Sequence, residues 1–171
     1  METAKYKVGG VFTFSQIRDG EVIDTWVSEN IVVNQGLNYI LDSALSAGSV
    51  ITSWYIGLFK NNYTPLATDV ASTFTGVGVA NESTADYSEA TRPLWSEAGP
   101  ASQSITNSAT PASFTCVAGS PVTIYGAFLT SSSTKGSTTG TLLAASKFAS
   151  AKTLSASDVL VVSYTISASS T

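Results

Sequence analysis

The chain has 171 residues, with 8 lysines and arginines against 12 aspartates and glutamates, a net charge of −4, no histidine and one cysteine. Without an imidazole there is no Ser-His-Asp or Cys-His nucleophile system and no His-ligated zinc. The sparse, unclustered basic residues argue against a surface built to neutralise nucleic-acid phosphates. Serine (27) and threonine (22) make up more than a quarter of the chain, and 43% of residues are apolar, so a compact, turn-rich β-protein is expected rather than a solvated disordered chain. The length suits one domain able to bury a core without metal or disulfide staples. No run approaches the roughly 18 apolar residues of a membrane span, and the start METAKYKVGG has no apolar signal core, so no membrane partner and no export are expected. The sequons at Asn62 and Asn81 then carry no glycan, and Cys116, within FTCV, is expected to fill a strand as a small apolar residue.

Residues 1–30 read as a β-hairpin: VGGVFTFSQI, a turn at Arg18-Asp19-Gly20, then EVIDTWVSENIVV. Asp-Gly between β-branched and aromatic runs is a strong hairpin signal. In the second run, Val22 and Trp26 fall on one face and Ile23 and Val27 on the other, which predicts a strand covered on both sides. NQGLNYILDSALSAG places Leu37, Ile40, Leu41, Ala44 and Leu45 at helical spacing, predicting one short α-helix over about residues 35–46, capped by Asn34 and closed by Gly48. SWYIGLFK, residues 53–60, has the density of a buried strand. Residues 61–92 lack periodicity and read as a long surface loop. Beyond it come five short strands, QSITNS, ASFTCV, PVTIYGAFLTS, TLLAASKFA and DVLVVSYTIS, with a flexible loop SSSTKGSTTG at 131–140. The last strand alternates Leu160, Val162, Tyr164 and Ile166 with more polar neighbours. The expected fold is mainly β, an antiparallel sandwich of jelly-roll or Greek-key type over residues 31–171, preceded by the hairpin as an arm. Leu41, Ile56, Phe128 and Val162 are its expected core markers.

Chemistry-bearing clusters are few. Glu82, Asp86 and Glu89 supply carboxylates for glycoside hydrolysis, but no predicted scaffold fixes a pair, and Arg92 stands ready to neutralise one. They also lack the spacing of a calcium loop. Gly76 and Gly78 in TGVGVA lack the third glycine and following helix of a dinucleotide loop, and Lys135-Gly136-Ser137 lacks the upstream glycine of a phosphate loop. A Lys-Asn crosslink through Lys147 lacks an identifiable catalytic carboxylate. Most aromatics fall inside apolar strands; Trp95, beside Pro93, is the one candidate for an exposed stacking surface. No cofactor and no enzymatic activity are expected.

The series GLNYILDSAL (36–45), SWYIGLF (53–59), ADYSEATRPLW (85–95), SITNSATPASF (104–114), TIYGAFLTSSSTKGSTTGTLLAASKF (123–148) and LSASDVLVVSYTISA (154–168) resembles a group of small structural proteins of tailed bacteriophages. The resemblance implies a virion component, made in the host cytoplasm. It implies a decoration or cement protein on the head surface that binds the major capsid protein and assembles as a homo-oligomer, dimer or trimer. A tail or fibre-base protein is the alternative, and a glycan-binding virion module a second one. Contacts are expected from Lys5, Tyr6 and Lys7 on the arm, from Tyr87, Glu89, Arg92 and Trp95 around the long loop, and from Lys135.

Overall fold

The computed structural model describes residues 6–75 and 78–170. The Asp-Gly signal folds as expected. Asp19 and Gly20 take φ of 52° and 83°, the paired left-handed conformation that turns β1 (Tyr6–Arg18) tightly onto β2 (Glu21–Glu29). A two-residue strand, β3 (Ile31–Val32), continues the second arm, and helix α1 (Asn34–Leu45) follows. Then come β4 (Tyr55–Phe59), a one-turn helix α2 (Ala71–Phe74), β5 (Ser104–Thr106), β6 (Ala112–Thr115), β7 (Val122–Thr130), β8 (Leu142–Leu154) and β9 (Val159–Ser170).

These strands form two antiparallel sheets. In the first the order is β2-β1-β9-β5, with β6 also pairing β9; in the second it is β3-β8-β7-β4. The chain crosses between the sheets where β2 runs into β3. The main core lies between them. Phe12, Phe14, Leu160, Val162 and Tyr164 point in from the first sheet, and Ile56, Leu58, Ile124 and Leu129 from the second, all essentially inaccessible. Phe12 stacks on Tyr164 at 4.0 Å between ring centroids, and Phe14 meets Phe148 edge-on at 4.7 Å. The hairpin expected as an arm is therefore an internal part of the sheet from Tyr6 onward. β1 pairs with β9 from Tyr6↔Ser170 to Ile17↔Val159, and its phenylalanines are core residues. β2 is covered less than its two apolar faces suggested, because it is a sheet margin: Val22, Ile23 and Val27 are exposed, while Asp24, Trp26 and Ser28 turn inward.

The second sheet also has a covered outer face. Phe59 of β4 and Phe128 of β7 project outward, each opposite a glycine, Gly126 and Gly57 respectively. A Cβ on Gly57 would collide with the Phe128 ring, and one on Gly126 with the Phe59 ring and Ser146 O, so both positions require glycine. Phe74 of α2 lies over the two rings at 5.4 and 5.1 Å, and Val33, Ala80, Leu142 and Ala145 complete this smaller cluster.

Helix α1 packs on β8, but rotated from the predicted stripe. Gly36 sits directly against the backbone of Leu143, which centres the contact on Gly36, Leu37 and Ile40 and turns Leu41 outward, 52% exposed, with Leu45 beside it at 81%. Leu41 is thus no core residue, whereas Ile56, Phe128 and Val162 are fully buried. Val33 rather than Asn34 precedes the first turn, without a side-chain cap. At the far end Ala47 takes φ 55° and Gly48 N donates to Asp42 O at 3.1 Å.

The segment expected as a surface loop is a border. Lys60 N donates to Asn81 O and Ser83 N to Leu58 O, while Ile56 N donates to Pro93 O and Trp95 N to Trp54 O, so residues 81–83 and 93–95 line the margin of β4. Between them, Ser88 N donates to Thr115 O and Val117 N to Asp86 O, which seals the margin of β6. One irregular stretch closes an edge of both sheets and leaves neither open for pairing.

Candidate interaction site

Arg92 does neutralise one of the loop carboxylates, Glu82, but the pair is buried rather than solvated, with fully inaccessible side chains. Glu82 lies opposite Phe59 and so faces outward from the second sheet. Arg92 donates to it through two parallel bonds, Nε to Oε1 at 2.7 Å and Nη2 to Oε2 at 2.8 Å. The guanidinium lies 5.4 Å from the Phe128 ring centroid. The remaining capacity of both groups goes to the loop at 131–140. Gly136 N donates to Glu82 Oε2 at 2.7 Å, Arg92 Nη1 donates to Ser132 O at 2.8 Å, and Arg92 N donates to Ser133 O at 2.8 Å. A buried ion pair is tolerated only when its other donors and acceptors are satisfied. Here a ten-residue loop rich in serine and threonine supplies that satisfaction from its backbone. The loop predicted to be flexible is therefore fastened to the sheet.

The neighbouring side chains are engaged as well. Tyr87 is buried edge-on against Phe114, 5.0 Å between centroids, and burial, with Glu82 adding to it, pushes its phenol above the usual range. Lys135 from the loop lies 3.7 Å from the Tyr87 ring centroid and donates to Tyr87 O at 3.1 Å; burial lowers its ammonium pKa, the nearby carboxylates opposing the shift. Asp86 pairs with Lys60 at 2.9 Å and accepts from Ser83 Oγ at 2.8 Å. Glu89 accepts Thr115 N with both oxygens, at 3.1 and 3.0 Å. The three carboxylates weighed for hydrolytic chemistry thus each hold a fold contact. Among the described residues no group of three or more Cys, Asp and Glu side chains is placed to hold a metal ion.

Of the expected contact residues, the structure brings Tyr87, Glu89, Arg92 and Lys135 to this one region. Arg92 is internal, however, and only Lys135 and Glu89 offer partly accessible charge. Trp95 is a correction. It is 3% exposed, and its Nε1 donates to Tyr164 O at 2.9 Å, because residues 93–95 join the sheet margin and turn the indole into the core. Tyr6 and Lys7 are exposed and sit far along β1, opposite Ser170 and Ser169; Lys5 lies outside the described residues, as does Gly76 of the glycine pair. Lys147 donates to the Thr64 hydroxyl at 3.2 Å, which offers no amide for a crosslink. Cys116 is buried as expected.

Two residues escaped the sequence reading. Asp158, buried before β9, accepts from Arg18 Nε at 2.7 Å, from Gln16 Nε2 at 2.7 Å and from Ser155 N at 2.8 Å. The Arg18 bonds foremost hold its carboxyl down at about 2. Its only sequence signal is the turn-like SASD. Asn107, fully buried, donates to Val162 O and accepts from Tyr164 N, so its amide stands in for a strand residue in the gap between β6 and β5.

No known protein family matches the chain, and no curated protein matches it either. No helix among the described residues is long and apolar enough to cross a membrane.

Proposed function

We propose that this protein is a structural component of a tailed-phage virion, a decoration or cement protein that binds the outside of the head shell and reinforces contacts between major capsid subunits. It works by adhesion as a homo-oligomer rather than by catalysis, and its sandwich is of Greek-key or jelly-roll type. The position of β9 between β1 and the β5 and β6 segments supports that topology. The observation that carries the functional reading is the Glu82–Arg92 pair beneath loop 131–140. An adhesive protein loses affinity for every loop it must order on binding. A serine- and threonine-rich loop already held in one shape avoids that loss, and its short side chains give up little rotamer freedom on contact. Repetition over a shell lattice then multiplies weak contacts. The ordered resemblance of residues 36–168 to small phage structural proteins supports the same reading.

Mixing purified protein with undecorated capsids tests it. Co-sedimentation and a raised capsid melting temperature are expected, both reduced by Lys135→Glu. Absence of binding and of any rise overturns it. Binding confined to tails, seen by labelling the protein in particles, replaces the head assignment with the tail or fibre-base alternative. The glycan-binding alternative loses its stacking residue with the burial of Trp95.

A further inference from the structure

Among the described residues, no element packs over the outer face of the first sheet. Outward residues of β1 from Val11 to Ile17, of β9 from Val159 to Thr165, of β5 and β6, and of β2 from Val22 to Val27 are all valine, isoleucine, serine or threonine. A register shift between Gln16 and Ile17 turns both Val22 and Ile23 to this side. Charge on this face is confined to one end, where Glu29 lies opposite Val11 and Lys7 stands two outward positions farther along β1; the positions from Thr13 to Ile17 and their cross-strand neighbours carry none. Val27 is 67% exposed and Val11 37%, with Val22 and Ile23 also open.

We propose that this face is the self-association surface of the protein, packing against the same face of a second copy about a two-fold axis. Three observations select a second copy. A partner with a charged surface would have to bury those charges against residues unable to pair them, which is unfavourable. A face whose charges are confined to Glu29 and Lys7 at one end also keeps most of each chain's −4 charge away from the contact, so the central strands of two copies meet without direct repulsion. Finally, β-branched and hydroxyl side chains on a flat pleat interdigitate with their like, since sheets stack face to face about 10 Å apart. Four strands at about 4.8 Å spacing and about seven residues at about 3.3 Å give roughly 450 Å² of flat footprint per copy. With side-chain relief, two facing copies bury about 1,000 Å², the lower end for a specific interface. The contact is isologous and closes at two copies.

This inference deepens the homo-oligomer part of the proposed function by naming its surface, does not depend on the virion assignment, and is tested without capsids. Sedimentation velocity on the full chain at about 50 μM is expected to show a dimer. Thr13→Lys and Val27→Lys, made separately, change exposed neighbours in register on the face and are expected to weaken association at least tenfold while thermal melts show each variant folded. Leu45→Lys, on the exposed side of α1, is expected to leave the dimer intact. A monomer at 50 μM overturns the proposal, as does a dimer that neither face variant weakens or one that Leu45→Lys disrupts. A monomer whose capsid binding is lost on Val27→Lys assigns the face to the shell instead. A dimer that fails to bind capsids leaves this proposal standing and removes only the virion reading.

Discussion

The two sheets share one core but differ on their outer sides. The second sheet carries Phe59 and Phe128 outward, and the chain uses α2, Ala80 and the Glu82–Arg92 pair with its loop to cover them. From Val11 to Ile17 of β1 and Val159 to Thr165 of β9, the first sheet carries only β-branched and hydroxyl residues outward, and no described element covers them. The difference is one of scale. A phenylalanine ring left in water forfeits more than about 2 kcal/mol of burial, enough to justify ordering a lid, whereas a half-exposed valine or threonine does not repay that ordering entropy within one chain.

Perturbing the lid should cost far more than perturbing the bare face. Arg92→Ala leaves Glu82 charged, buried and unpaired, and is expected to destabilise by about 4 kcal/mol in urea denaturation. Replacing the pair together, Glu82→Leu with Arg92→Met, is expected to recover most of that loss, because no charge is stranded. Phe74→Ala opens a cavity above Phe59 and Phe128 and is expected to lower stability by about 3 kcal/mol. On the first sheet the main vulnerability is at its end, at Asp158. Its carboxyl is held at about 2 in the folded chain against 3.8 in the unfolded one, so its contribution is complete above about pH 4 and is lost as pH falls toward 2. Thermal melts are expected to lose up to about 2 kcal/mol over that window, and Asp158→Asn to remove that part of the slope. On the bare face, Val27→Thr is expected to change chemical stability by no more than about 0.5 kcal/mol at concentrations where the chain is monomeric. Equal losses for Phe74→Ala and Val27→Thr would erase the contrast between the two faces.

The strands were legible because period-two alternation and an Asp-Gly turn are local signals. Ile56, Phe128 and Val162 could be placed in the core from their strands alone. Leu41 could not be placed, because helical spacing marks an apolar stripe without fixing which part of it meets the sheet, and Gly36 against Leu143 settles the rotation. That Arg92 pairs with a carboxylate was legible, but the burial of the Glu82–Arg92 pair was hidden for a different reason. Their partners are carbonyl and amide groups of a loop some forty residues on, and nothing in a run of serine and threonine advertises that its backbone will solvate a buried ion pair. Trp95 was misread because residues 81–95 border two sheets in turn, so no single period survives. Asn107 imitates backbone with a side chain, which residue patterns do not encode.

The β1–β9 pairing sets an order of events during synthesis. Its partners are 142 to 164 residues apart, so at roughly 5–20 residues per second β1 waits about 7–33 s for β9 to leave the ribosome. Until the strands of the second sheet emerge, β2 is the one partner of Phe12 and Phe14 already made, and the Asp19-Gly20 turn is what brings it to them at once. The turn thus shields two phenylalanines while the nascent chain is incomplete, and weakening it should appear as aggregation during expression.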